Sequence, residues 1–197
     1  MRPSPTPRVA PLTHRSERSD PELMRALATG DLGPLGELYD RYHDDVLQFA
    51  RRACSPSEDP DDVVHDAFLT AARASPSYDG RPCARPFLIG VAAQILRQRR
   101  RLWVRWSEVL TEFVETRSDV TERTPEDDAA QADDAARLTR ALARLTAEKR
   151  LVVLMIEREG MTGEEVAGAL GIPLGTVWTR LHHARAELRR SLKRREA

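Results

Sequence analysis

The segment TGEEVAGALGIPLGTVWTRLHHARAELRR, residues 162–190, leaves few folds open to the chain that carries it. Thr162 and Glu165 have capping-box spacing: the Thr oxygen accepts the Glu165 backbone N–H and the Glu carboxylate reaches back. Met161 and Val166 bracket that start as a hydrophobic staple. The helix must be short, because Gly171 can take the left-handed conformation that a tight turn needs. Ala167, four residues earlier, is small enough for a second helix to cross close above it. That second helix starts near Leu174 and turns Val177 and Leu181 inward. A small residue, a Gly turn and apolar anchors at these offsets describe a helix-turn-helix, whose second helix lies in the major groove of duplex DNA. Thr176, Trp178, Thr179, Arg180, His182 and His183 then turn partly or fully outward, with Arg185 one turn further on. Arginine reads guanine edges or grips phosphate, and threonine offers a hydroxyl or a methyl. An αα-hairpin used only for packing is the bland alternative; the cap, the turn and the basic exit helix together argue against it.

The remainder of the chain is expected to be all-α: two small helical domains joined by a flexible acidic linker. Val/Ile/Thr-rich alternation is nearly absent, and the abundant Ala, Leu, Arg and Glu are strong helix formers. Residues 1–19 are rich in Pro, Ser and Arg without periodicity and read as a disordered tail. Asp20-Pro21-Glu22 opens a helix that runs to Gly30, with Asp suited to the cap and Pro to the first turn. Leu38, Tyr42, Val46, Phe49 and Ala53 form an apolar stripe on a longer helix over 35–53. Asp59-Pro60-Asp61-Asp62 starts a third helix that buries Val63, Val64, Ala67, Phe68 and Ala71. A fourth begins near Arg85-Pro86 and buries Phe87, Leu88, Val91, Ala92, Ile95 and Leu96 before an arginine run. These four make one bundle over 20–106. Acids accumulate over 107–134, the expected linker. Helices over 135–145 and 148–159 then lead into the helix-turn-helix of a second domain, 135–197.

Net charge says nothing about a polyanionic partner, since 31 Lys and Arg balance 31 Asp and Glu. The distribution does. Arg97, Arg99, Arg100, Arg101 and Arg105 form one basic cluster. Arg180, Arg185, Arg189, Arg190, Lys193, Arg194 and Arg195 form another, with the acidic stretch between. Basic clusters bind nucleic acid by releasing phosphate counterions, though they also occur as solvated helix faces. Cys54 and Cys83 have no Cys-x-x-C spacing and no paired His, so neither a metal site nor a disulfide is expected, and a reduced, cytoplasmic protein fits best. No secretory signal opens the chain, and the longest nearly apolar run, 87–96, is too short to span a bilayer.

Two stretches resemble one family. LTAEKRLVVLMIEREGMTGEEVAGALGIPLGTVWTRLHHARAELRR is similar to the fourth conserved domain of extracytoplasmic-function (ECF) sigma factors of bacterial RNA polymerase. LYDRYHDDVLQFARR, DPDDVVHDAFLTAAR and YDGRPCARPFLIGVAAQILRQRRR resemble, in order and spacing, their second conserved domain. The likeness covers roughly 23–103 and 137–192. It implies a protein, monomeric when free, that docks on core polymerase through the clamp of the largest subunit and the flap of the second-largest. Asp62, His65 and Asp66 occupy the clamp-docking positions, while Phe68 packs inward. The stretch from Tyr78 to Arg101 matches the part that melts and holds the downstream (−10) promoter element, with Arg81, Arg85, Gln94, Arg97, Gln98 and Arg101 as candidate contacts. Single-stranded bases are held by stacking platforms and backbone-tracking cations.

The second helix of the helix-turn-helix would read the upstream (−35) duplex, with Arg180 and Arg185 carrying much of the affinity. Several positions depart from the family pattern. Phe87 stands where Trp is common, Ala93-Gln94 where Arg-Asn is common, and Gln98 where Asp is frequent. These changes bear on the usual downstream sequence preference and not on the binding mode; Trp178 replaces a frequent basic residue, with the expected loss of one phosphate or base contact, and His183 replaces a common Arg. The resemblance further implies an anti-sigma factor that masks both domains, and no cofactor.

An enzyme finds no support: there is no Gly-rich phosphate loop, no His-Glu-x-x-His and no nucleophile–base constellation. The competing class is a stand-alone regulator that binds duplex DNA unaided as a dimer on paired half-sites. A pure interaction bundle is a third, made less attractive by the two arginine clusters.

Overall fold

The computed structural model describes residues 18–55, 57–111 and 131–193, and the side chains of all of these except 103–111, 131–135 and 193. Eight α-helices account for most of it, with no strand among the described residues. Residues 1–17 of the expected tail, most of the expected acidic linker, the Trp103 and Trp106 side chains and Arg194–Arg195 lie outside the described residues.

In the N-terminal half, α1 (Asp20–Ala28), α2 (Gly33–Ala53), α3 (Pro60–Ala74) and α4 (Arg85–Thr111) form the expected bundle. Ser19, not Asp20, stands at the first cap. Its backbone N–H and hydroxyl both donate to the Glu22 carboxylate, each at 2.7 Å. Asp20 is thereby one residue inside the helix and 4% exposed, with another use described below. At α3 the cap is Asp59, whose carboxylate accepts the Asp61 N–H at 2.9 Å. The core of this half is built from Leu23, Met24, Leu38, Phe49, Val63 and Leu88, all fully buried. A single 3-10 turn, Ser75–Ser77, carries the chain off α3 toward α4. The fourth helix continues to Thr111, past the point where the linker was expected to begin, and the next helix starts inside that linker.

The C-terminal half comprises α5 (Gln131–Ala143), α6 (Ala147–Val153), α7 (Gly163–Leu170) and α8 (Leu174–Lys193), with α8 packed along the other three. One regular helix was expected over 148–159. Instead α6 gives way at Leu154–Arg158 to a π turn, closed by Glu159 N–H to Leu154 C=O at 3.0 Å.

The two halves pack on each other along α4 and α7, and their buried side chains form one continuous core. A Cβ placed on Gly90 of α4 would stand 3.0 Å from the Ala169 Cβ of α7, so the absent side chain sets how near the helices come. Arg150 adds a second tie. It donates to the carbonyls of Leu142, Leu145 and Cys54 at 3.0–3.3 Å, joining the α2 end to the second half. Burial first, then the nearby Arg100, pushes its pKa below the ordinary guanidinium value.

Candidate nucleic-acid interface

The helix-turn-helix has the geometry its sequence demands. Thr162 Oγ1 accepts the Glu165 N–H at 3.2 Å, and the Glu165 carboxylate takes the Thr162 N–H at 2.6 Å. Met161 and Val166 are both buried beside this start. Gly171 closes α7 in the left-handed region at φ 58°, ψ 48°, where a Cβ is disfavoured. Val177 and Leu181 are buried beneath α8, so the outward set follows by helical period.

Trp178, Thr179, His182, His183 and Arg185 are exposed, while Thr176 and Arg180 are half-buried. Trp178 keeps 48% of its surface and lies against the start of α7: a Cβ on Gly163 would come within 2.5 Å of its Cζ2. The indole therefore extends the recognition face as an apolar plate seated on a glycine. Thr179 donates its hydroxyl to the Gly175 carbonyl at 2.9 Å, which leaves its methyl and oxygen lone pairs for an outside partner. His182 and His183 lie ring beside ring, 5.9 Å between centroids. Both arginines already have carboxylate neighbours, Arg180 with Glu148 at 3.4 Å and Arg185 with Glu157 at 2.7 Å.

On α4 and the loop before it the six candidates separate into two groups. Gln94, Gln98 and Arg101 are exposed. Arg81, Arg85 and Arg97 each donate across to the second half: Arg81 to Glu165, Arg85 to Glu159, and Arg97 to the Leu170 carbonyl at the end of α7. Arg85 also holds Asp45 at 2.9 Å, and Arg81 holds Asp79. These pairings raise two pKa values above the usual guanidinium range. For Arg81 the bond to Asp79 leads; for Arg85 burial opposes the rise and is outweighed by Asp45 and Glu159. Arg97 moves down instead, through burial first and then through Arg101 and Arg180. Phe87 is half-buried, edge-on to Tyr78 at 5.3 Å.

The candidate docking residues occupy one side of α3. Asp62 and His65 are exposed, Asp66 pairs with Arg99 of α4, and Phe68 is buried as expected. Leu69 continues this exposed side, and Tyr39 of α2, in ring contact with Phe68 at 4.9 Å, is partly exposed as well.

Asp20 escaped the sequence reading. Its carboxylate accepts from the Arg41 guanidinium, the Tyr42 hydroxyl and the Ala84 N–H, the last at 2.7 Å. It thus anchors the entry to α4, where the downstream-element candidates begin. Burial, then this bond, raises the Tyr42 pKa. The only sequence signal was a carboxylate at the start of a helix, which also fits a cap. Glu159 escaped for another reason, because the π turn had no signature in the 3.6-residue period.

A bundle carrying cations on its last helix, with a helix-turn-helix packed on it, defines the class of two-domain helical DNA-binding proteins. The comparisons make this specific. The Sigma-70 region 2 model matches residues 38–104, and the Sigma-70, region 4 model matches residues 135–188. ECF RNA polymerase sigma factor SigM of Mycobacterium tuberculosis is 34% identical over 178 residues, 90% of this chain and 87% of that protein. RNA polymerase sigma factor NccH of Alcaligenes xylosoxydans xylosoxydans is 32% identical, covering 86% of this chain and 92% of its own. Among solved structures, CnrH in complex with the cytosolic domain of CnrY matches with a TM-score of 0.59 at 26% identity, over 89% of this chain and 97% of that one. Sigma factor RpoE of Bartonella quintana, in complex with the anti-sigma factor NepR, shares the fold at a TM-score of 0.62 and 20% identity, over 81% and 97% of the two chains. The chain belongs to the ECF RNA polymerase sigma factors.

Proposed function

We propose that the two halves divide promoter recognition. Helix α8 reads the upstream duplex through Thr176, Trp178, Thr179, His182 and His183, with Arg180 and Arg185 gripping phosphate. Helix α4 and the loop before it hold the melted downstream strand through Arg81, Arg85, Gln94, Arg97, Gln98 and Arg101. The exposed side of α3, with Asp62, His65 and Asp66, docks on the polymerase clamp. The chemistry of RNA synthesis is the polymerase's, and the chain works in the cytoplasm where that enzyme acts. An anti-sigma factor is the regulatory partner, in keeping with the complexes of CnrH and RpoE.

The observation that carries this reading is the pairing, on one chain and in order, of a region 2 bundle and a region 4 helix-turn-helix whose outward face is free of the core. A stand-alone regulator has no need of the first. Run-off transcription with purified core polymerase on a pool of promoter fragments tests it. Initiation at discrete start sites only when the protein is present is the expected outcome. No initiation and no binding to core polymerase, together with tight unaided binding to duplex DNA, would replace it with the regulator.

A further inference from the structure

Among the outward residues of α8, Thr179, His182, His183 and Arg185 are polar or cationic, whereas Trp178 is apolar and still half exposed. The indole is held in place. A Cβ on Gly163 would stand 2.5 Å from its Cζ2 and 3.1 Å from its Cε2, so the ring fills the space that any side chain at 163 would need. The same Cβ would stand 3.0 Å from Leu174 Cδ1, one helical turn before Trp178. Leu174 is exposed as well, so the two side chains flank Gly163 as a small apolar strip at the start of α8. That is the part of a recognition helix that meets base edges. An apolar plate gains nothing from phosphate oxygens, whose contacts carry no sequence information in any case. The major groove displays one apolar group, the C5 methyl of thymine.

We propose that Trp178, seated on Gly163, is a thymine reader: its exposed face takes the C5 methyl of one thymine in the upstream duplex. This rests on the reading of α8 as the upstream-reading helix and names the base chemistry that one of its residues selects. The seat matters as much as the ring. With Gly163 beneath it the indole has few other places to go, so little side-chain freedom is lost when DNA arrives. Thr179 beside it spends its hydroxyl hydrogen on the Gly175 carbonyl, which leaves the apolar contact to dominate this stretch of the helix. A cation at 178 would add affinity for any sequence through phosphate; the indole gives up that general attraction for a preference at one base pair.

The test uses holoenzyme assembled from core polymerase and the full chain, either wild type or Trp178→Ala, on promoters randomised in the upstream element. Selection by the wild-type holoenzyme should enrich thymine at one position, and selection by Trp178→Ala should not. On the enriched duplex, deoxyuridine in place of that thymine removes the methyl and nothing else. Wild-type binding, measured by competition, should then fall about fourfold, the worth of one buried methyl. Binding by Trp178→Ala should not change. Trp178→Phe, a smaller plate, should keep part of the difference. Gly163→Ala should reduce the difference in the wild type and leave it at zero in the Trp178→Ala background, which separates the seat from a general weakening of the helix-turn-helix. An upstream preference with no methyl-dependent position, or with one that survives Trp178→Ala, overturns the proposal and leaves α8 as the duplex reader. Weaker initiation by Trp178→Ala without methyl dependence also overturns it, and puts the indole on a polymerase surface instead. No upstream preference by either holoenzyme overturns the assignment of α8 and the thymine reader with it.

Discussion

Asp20 shows how much one side chain can hold in a small bundle. A carboxylate this buried is stable only because Arg41, Tyr42 and the Ala84 N–H converge on it. Asp20→Ala strands those donors, and the expected loss is about 2–4 kcal/mol in urea unfolding. The two thiols differ just as sharply. Burial first, then Glu58, pushes Cys54 up to about 12, so at neutral pH it stays a protonated, half-buried thiol. Cys83 is exposed. Iodoacetamide at neutral pH should label Cys83 in the native chain and reach Cys54 only on unfolding, as mass spectrometry of digests would show. On α8, replacing Arg180 and Arg185 together by Ala should weaken binding to an upstream-element duplex by about tenfold or more and flatten its salt dependence by about two phosphate contacts. Unchanged affinity and slope would remove both from the interface. Such roles were unevenly legible. The outward face of α8 followed from Val177 and Leu181 alone, whereas the partners that Arg81, Arg85 and Arg97 find in the second half lie more than seventy residues away in sequence, beyond any local pattern.

At the scale of elements, the caps and the glycine turn were readable because their chemistry is local. Thr162, Glu165 and Gly171 satisfy or reverse the backbone within a few residues, so spacing and residue type suffice. Gly171→Ala puts a side chain at φ 58° and should cost about 1 kcal/mol or slightly more in thermal unfolding, since L residues are disfavoured there. A chain unaffected by that change would mean the turn relaxes to another conformation. The π turn is the opposite case. It inserts one residue into the helical repeat, which re-aims Glu159 relative to a regular continuation of α6. Hydrophobic periodicity registers the buried Leu151–Met155 stretch equally well with or without that insertion. The same local reasoning began the linker at 107, where acids start to accumulate, although α4 runs on to Thr111.

The two domains were visible in the sequence as two periodic blocks, but their mutual packing was not, since Gly90 and Ala169 carry no pattern that pairs them. The continuous core predicts how the molecule unfolds. If the halves stand as one unit, urea should melt them in a single transition, coincident for helical circular dichroism and for hydrogen exchange at buried amides of α2 and α8. Two separated transitions would show halves that fold independently and touch weakly. The internal engagement of Arg81, Arg85, Arg180 and Arg185 by carboxylates also bears on how such a molecule travels. A chromosome is a vast sorbent for bare cations, and proteins that expose them spend most of their time adhering to irrelevant sequence. With charges of the two signs equal in number and these arginines paired with carboxylates, this chain would adhere to bulk DNA less than one whose arginines all stood bare, leaving more of it in circulation for polymerase to collect.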